Sequence, residues 1–140
     1  CLVNPNLQEE SGIPDVDTAV VTMKMANGAI ATINNSRQAV YGYDQRVEVF
    51  GSKGMAADQN DLNSTATITT VDGAVSEKPK WFFLERYNDA FIEQIKYFID
   101  SIVNDKPTVV GAYDGLRPVL MAAAATESCR NGGAWVKVAE

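Results

Sequence analysis

Apolar and polar residues alternate from Thr18 to Met25 and, after Asn27-Gly28, alternate again from Ala29 to Ile33. A period of two is that of a half-buried strand, and Asn-Gly between two such runs predicts a hairpin with a primed turn. Gln45 to Phe50 is a third strand, with Val47 and Val49 on one face and Arg46, Glu48 and Phe50 on the other. Gly51-Ser52-Lys53-Gly54 turns the chain into a partner strand, Met55 to Asp58. Thr65 to Val71 is rich in β-branched residues; Asp72-Gly73 then makes a second hairpin turn, and Ala74 to Ser76 begins the return strand. The first half therefore reads as a largely antiparallel sheet. Ahead of it, Asn4 to Asp15 lacks periodicity and reads as an exposed loop, and Cys1-Leu2-Val3 reads as a strand already under way, as in a piece of a longer chain.

The period changes near Glu85. Leu84, Tyr87, Phe91, Ile95, Phe98 and Ile102 recur at spacings of three and four, with Glu85, Asp89, Glu93 and Lys96 off that stripe. This predicts one amphipathic helix running to Val103, stopped by Asn104-Asp105-Lys106-Pro107. A second helix is expected from Asp114, an N-cap type of residue, to Asn131-Gly132-Gly133, with Pro118 tolerated in or next to its first turn. Its alanine run, Ala122 to Ala125, leaves a narrow face for close packing on the sheet or on a neighbouring domain. Trp135 to Val138 is expected to be a short final strand.

Composition narrows the possibilities. At 140 residues the chain reads as one domain able to form a core. Its hydrophobic fraction of 46% and charged fraction of 21% are those of a folded unit rather than a disordered one. A net charge of −6 disfavours nucleic acid and anionic membrane surfaces as partners. With no bilayer-length apolar run and no signal-peptide pattern, the expected location is cytoplasmic. The two cysteines, Cys1 and Cys129, have no metal-ligand spacing and read as free thiols.

The chain contains no histidine, so neither a Ser-His-Asp nor a Cys-His arrangement can form, and its carboxylates are scattered. No catalytic residue and no metal site is assigned. The stretch YGYDQRVEVFGSKG nevertheless carries more polar and aromatic side chains than a structural strand needs. Tyr41 and Tyr43, two apart, would share a side in an extended segment and offer two rings with hydroxyls. Two readings fit: a wall for a sugar or cyclic polyol, or tyrosines at a sheet edge or subunit interface.

The run DVDTAVVTMKMANGAIATINNSRQAVYGYDQRVEVFGSKG, with FFLERY, VNDKP and DGL after it, resembles the inositol 2-dehydrogenases of the glucose-fructose oxidoreductase (Gfo/Idh/MocA) family. The resemblance covers Asp15 to about Leu116, more weakly the last helix. It implies an α+β fold, an open, mainly antiparallel sheet with two helices packed on one face, forming an incomplete C-terminal substrate-binding and oligomerisation domain over residues 1–140. The NAD-binding Rossmann domain of such enzymes precedes it. The family's glycine fingerprint, strand-borne Glu-Lys-Pro lysine and Asp-x-x-x-His pair also lie upstream and are not in this sequence, which accounts for the absence of histidine. Glu77-Lys78-Pro79 copies the tripeptide but follows a hairpin, so it reads as a loop, and the glycines of Gly51 and Gly54 form a turn rather than a phosphate cradle.

Carried over onto matching positions, the resemblance makes Tyr43, Tyr41 and Arg37 substrate-binding candidates that orient a polyol whose chemistry stands on the other domain. It implies NAD as cofactor, oxidation of myo-inositol to a ketone, a homo-oligomer through the open sheet, and no activity from this part alone. Two alternatives are a non-catalytic dimerising α+β module and a fragment of a sibling sugar or scyllo-inositol dehydrogenase.

Overall fold

Three hairpins and three helices make up the structure, a computed structural model that describes residues 15–139. The Cys1–Val3 strand and nearly all of the Asn4–Asp15 loop expected from the sequence lie outside the described residues. The chain divides into two compact units, one running through Gln38 and resuming at Asp105, the other Ala39–Asn104.

In the first unit β1 (Thr18–Lys24) pairs antiparallel with β2 (Ile30–Ser36), in a register that sets Val21 opposite Ile33. The Asn-Gly signal locates the hairpin correctly, but the loop is not a two-residue primed turn. Gly28 N–H donates to the Met25 carbonyl at 3.0 Å and Met25 N–H to the Ala29 carbonyl at 2.9 Å, enclosing Ala26, Asn27 and Gly28. Gly28 sits at φ +90°, the left-handed residue of a three-residue loop with a glycine bulge. At the other end, Arg37 N–H donates to the Asp17 carbonyl at 2.8 Å and extends the ladder by one rung.

The same unit contains α3 (Ala112–Arg130). Its N-cap is Gly111 rather than Asp114. Asp114 lies one turn further in, and its carboxylate accepts from Gly111 N–H at 2.8 Å, placing negative charge at the positive end of the helix. Pro118 consequently lies inside the helix, past the first turn, and removes the N–H that would have donated to the Asp114 carbonyl. As expected, the helix stops at Asn131-Gly132-Gly133: both glycines have positive φ, and Gly133 N–H donates to the Ser128 carbonyl at 2.8 Å. Trp135–Val138 is not a strand. The alternation is there, but no neighbouring strand pairs with it among the described residues, and without a ladder an alternating segment does not become one.

In the second unit β3 (Val47–Gly51) pairs with β4 (Gly54–Asp58) across Ser52-Lys53, and β5 (Thr67–Thr70) with β6 (Gly73–Ser76) across Val71-Asp72. The antiparallel character is as expected, delivered as separate two-stranded ladders. The single helix expected up to Val103 is divided into α1 (Phe83–Arg86) and α2 (Asn88–Val103) by Tyr87, at φ −109° and ψ 14°. Hydrogen bonds continue on both sides of the break: Tyr87 N–H reaches the Phe83 carbonyl at 2.8 Å, and Phe91 N–H reaches that of Tyr87 at 2.9 Å.

No hydrophobic side chain is buried among the described residues. The α2 stripe is present, but Ile95, Phe98 and Ile102 remain more than half exposed. No described helix is long and apolar enough to cross a membrane.

Candidate functional site

The tyrosine-bearing stretch is a turn followed by an irregular segment, because glycine stands between the two tyrosines. Gly42 is buried at φ +138°, its N–H donating to the Ala39 carbonyl at 3.3 Å. A Cβ at this position would lie 2.6 Å from the Pro79 carbonyl oxygen, so the backbone approach requires glycine. One residue later, Tyr43 N–H donates to the Lys80 carbonyl at 2.8 Å, and Lys80 N–H to that of Asp61 at 3.0 Å. Three segments that are distant in sequence, around residues 42, 61 and 80, are thereby stitched edge to edge, with Leu62 and Pro79 adding an isolated β-bridge. Glu77-Lys78-Pro79 is the loop the sequence implies, and its proline forms a wall against Gly42.

Asp44 is the polar centre of this arrangement. Its carboxylate accepts from Arg46 Nε at 2.8 Å and Nη2 at 2.9 Å, from Asn60 Nδ2 at 2.7 Å, and from the Tyr41 hydroxyl in a very short bond. The Arg46 pair is the bidentate fork that suits a carboxylate. Asn60 works in both directions, since its Oδ1 also accepts from Gln45 N–H at 2.8 Å. These donors, Arg46 foremost and then Tyr41 and Asn60, hold the Asp44 carboxyl well below the usual carboxylate range. The bond to Asp44 pushes the Tyr41 phenol up. A carboxylate so fully engaged is a poor proton acceptor at neutral pH, and Tyr41 is a poor acid. The cluster is suited to holding shape and presenting hydrogen bonds, not to general acid-base catalysis. Tyr41, Asp44, Arg46 and Asn60 line an open depression of about 440 Å³.

Tyr43 goes elsewhere. Its ring meets Tyr87 edge to face, with centroids 5.7 Å apart, and Tyr87 meets Phe91 in the same manner at 6.4 Å. Burial, and then the neighbouring Tyr43 phenol, raise the Tyr87 phenol above its ordinary value. The expectation that Tyr41 and Tyr43 share one side of an extended segment therefore fails: Gly42 turns the chain, and the two rings engage different neighbours. Beside them, Lys80 pairs with Asp61 at 2.5 Å and lowers its carboxyl, while Arg86 lies 3.5 Å from Asp58 and 3.9 Å from Asp61. Arg37, the third candidate, belongs to the other unit, where its backbone closes the β1–β2 ladder and the residue is exposed.

The sequence marks Asp44 and Arg46 as part of a conspicuously polar stretch without singling them out as site residues, and it gives Asn60 and Tyr87 no role in the site. An aspartate two residues before an arginine was the available signal for the first two. Asn60 and Tyr87 offer none, because their partners are remote in sequence.

The described residues do not fit a dinucleotide. Gly51 and Gly54 close a β-hairpin instead of leading a strand into a helix. The N-terminus of α3, where a phosphate would otherwise sit, is occupied by the Asp114 carboxylate. No group of three or more histidine, cysteine, aspartate or glutamate side chains is placed to hold a metal ion among the described residues.

Residues 3–138 match the C-terminal alpha/beta domain of an oxidoreductase family, Gfo/Idh/MocA. The chain is 48% identical over 131 residues to an uncharacterized oxidoreductase, YrbE, of Bacillus subtilis, covering 94% of this chain and 38% of the relative. It is 45% identical over 114 residues to a myo-inositol 2-dehydrogenase of Thermotoga maritima, covering 81% of this chain and 34% of the relative. Among solved structures, a scyllo-inositol dehydrogenase of Lactobacillus casei with bound NAD(H) and scyllo-inositol superimposes with a TM-score of 0.79 at 25% identity, over 93% of this chain and 38% of that one. The chain thus spans a little over a third of the length of the relatives it matches.

Proposed function

Because the chain belongs to the Gfo/Idh/MocA oxidoreductases, in the C-terminal alpha/beta domain of that family, we propose that it is the substrate-facing and subunit-contacting part of an NAD-dependent inositol 2-dehydrogenase. The reaction is oxidation of a ring secondary alcohol of myo-inositol to a ketone. The single observation that carries this reading is the extended identity to the myo-inositol 2-dehydrogenase of T. maritima. The arrangement around Asp44 supports it, since a cluster rich in hydroxyl, amide and guanidinium groups but poor in proton acceptors suits a wall that orients a polyol. NAD and the proton-transferring groups we assign to residues outside these 140, a reading supported by the misfit of the described residues to a dinucleotide.

The deciding assay follows NAD reduction by the full-length protein on a panel of inositol isomers and aldoses, beside the 140-residue chain alone. The expected result is turnover of myo-inositol by the former and none by the latter. Turnover by the isolated chain, or no reaction of the full-length protein with any inositol, overturns the proposal.

Two expectations accompany it. Tyr43→Phe keeps the ring against Tyr87 and removes one hydroxyl. The KM for inositol should rise about five-fold, the worth of one neutral hydrogen bond, with the KM for NAD unchanged; equal loss of both makes Tyr43 structural. The apolar stripe of α2 and the exposed apolar residues of the strands are surface that a soluble monomer rarely leaves open. Sedimentation of the full-length protein should therefore give a homo-oligomer, and a clean monomer at high concentration counts against the assignment of subunit contacts to this domain.

A further inference from the structure

We infer that Asp44 fixes the hydrogen-bonding polarity of Tyr41, so that Tyr41 meets the ring of the substrate as an acceptor only and selects a free hydroxyl there over a carbonyl, ether or fluorine. The inference rests on the polyol reading above and deepens it.

A phenol has one proton to give and lone pairs to receive with. The Tyr41 proton is already committed, because the hydroxyl is bonded to Asp44 Oδ2. The direction of that bond is unambiguous. Asp44 takes two bonds from Arg46 and one from Asn60 besides, and a carboxylate surrounded by donors has no proton of its own to offer. What remains on the Tyr41 oxygen is acceptor capacity, on a side chain that is 46% exposed and lines the open depression. Arg46 lines the same depression, and after Nε and Nη2 have each served Asp44 its half-exposed guanidinium still carries unspent N–H groups. An acceptor next to donors matches a ring bearing vicinal hydroxyls, one donating to Tyr41 and its neighbour accepting from Arg46. Asp44 touches no substrate in this scheme; it is a positioning residue that acts through Tyr41.

The test uses the full-length enzyme and myo-inositol analogues in which one non-reacting hydroxyl at a time is replaced by fluorine, which does not donate. In the wild type, fluorine at one ring position should lower kcat/KM about five-fold or more relative to the other positions. Tyr41→Phe, which leaves Arg46 and Asn60 on Asp44, should abolish that position-specific penalty. Asp44→Asn places an amide where the carboxylate was and allows the Tyr41 proton to turn outward, so the penalty should shrink or reverse. A wild type indifferent to fluorine at every position overturns the inference while leaving the polyol reading standing. So does a penalty unchanged in Tyr41→Phe, which is decisive even where Asp44→Asn fails to fold. A wild type inactive on myo-inositol itself overturns the polyol reading, and the inference falls with it.

Discussion

Alanine at Gly42 is expected to destabilise the Ala39–Asn104 unit by about 3 kcal/mol, adding the cost of a glycine-only backbone conformation to that of overpacking. Both contributions are visible at this position. The residue sits at φ +138°, and its added Cβ would meet three atoms of Pro79, the nearest a backbone oxygen at 2.6 Å. A flexible side chain could step aside, but the Pro79 carbonyl belongs to a segment bridged to Leu62 and followed at once by the Lys80–Asp61 and Tyr43–Lys80 bonds. Moving it unfastens the others. Hydrogen exchange is the appropriate reading: the Tyr43 and Lys80 amides should lose protection in Gly42→Ala before the β3–β4 amides do. Gly28→Ala is the control, since nothing lies within 4 Å of a Cβ there and only the φ of +90° is at stake, a cost of about 1 kcal/mol. Equal effects of the two substitutions would mean that backbone conformation, not the approach to Pro79, makes Gly42 necessary.

Acid should dismantle the same region, and Asp44 sets where. Its carboxyl is held below the range of an unfolded aspartate, near 3.9. A depressed folded value means that the unfolded chain binds protons more readily, so the stabilisation is complete above about pH 4 and drains away as pH falls through and below that point. Asp61, lowered chiefly by Lys80, works in the same direction from a more exposed position and is therefore more screened by salt. The unfolding midpoint of the protein should fall steeply below about pH 4, and Asp44→Asn should flatten that limb while lowering stability at neutral pH. An acid limb of the same slope in Asp44→Asn would assign the loss to other carboxylates. Tyr87 contributes at the opposite extreme: its raised phenol favours the folded state until pH climbs past about 10, where the advantage is lost.

Local chemistry was legible in the sequence and long-range geometry was not. Asn27-Gly28, Gly51 with Gly54, and Asp72-Gly73 each marked a hairpin, because positive-φ glycine at a turn is a property of a few adjacent residues. The apolar stripe of α2 and the glycine stop of α3 were equally local. Errors arose wherever a distant partner decided. Tyr87 fits the helical period, yet the chain breaks there, where its ring also meets Tyr43. Trp135–Val138 has a strand's pattern and lacks a strand's neighbour. Asp114 is a local exception: it has the chemistry of an N-cap but serves from one turn inside, on Gly111 three residues before it. At the candidate site the polar character of Tyr41–Arg46 was conspicuous, whereas its arrangement depended on Asn60, sixteen residues beyond Asp44, and on Pro79. Alternation placed the two tyrosines on one side because it took Gly42 for an ordinary strand residue.

The three-residue loop between β1 and β2 also bears on how the chain ages. Asparagine followed by glycine is prone to deamidation, in which the glycine nitrogen attacks the asparagine side-chain carbonyl to close a succinimide. Here the Gly28 nitrogen is engaged with the Met25 carbonyl at 3.0 Å, while Asn27 Oδ1 is held by Ala29 N–H at 3.1 Å. The turn thus keeps the nucleophilic nitrogen turned toward Met25 and the Asn27 side chain tied to Ala29 N–H, which limits the approach of one to the other. Loss of the amide should proceed from molecules in which the hairpin has opened, so its rate in stored protein becomes a slow clock for the opening of β1 from β2.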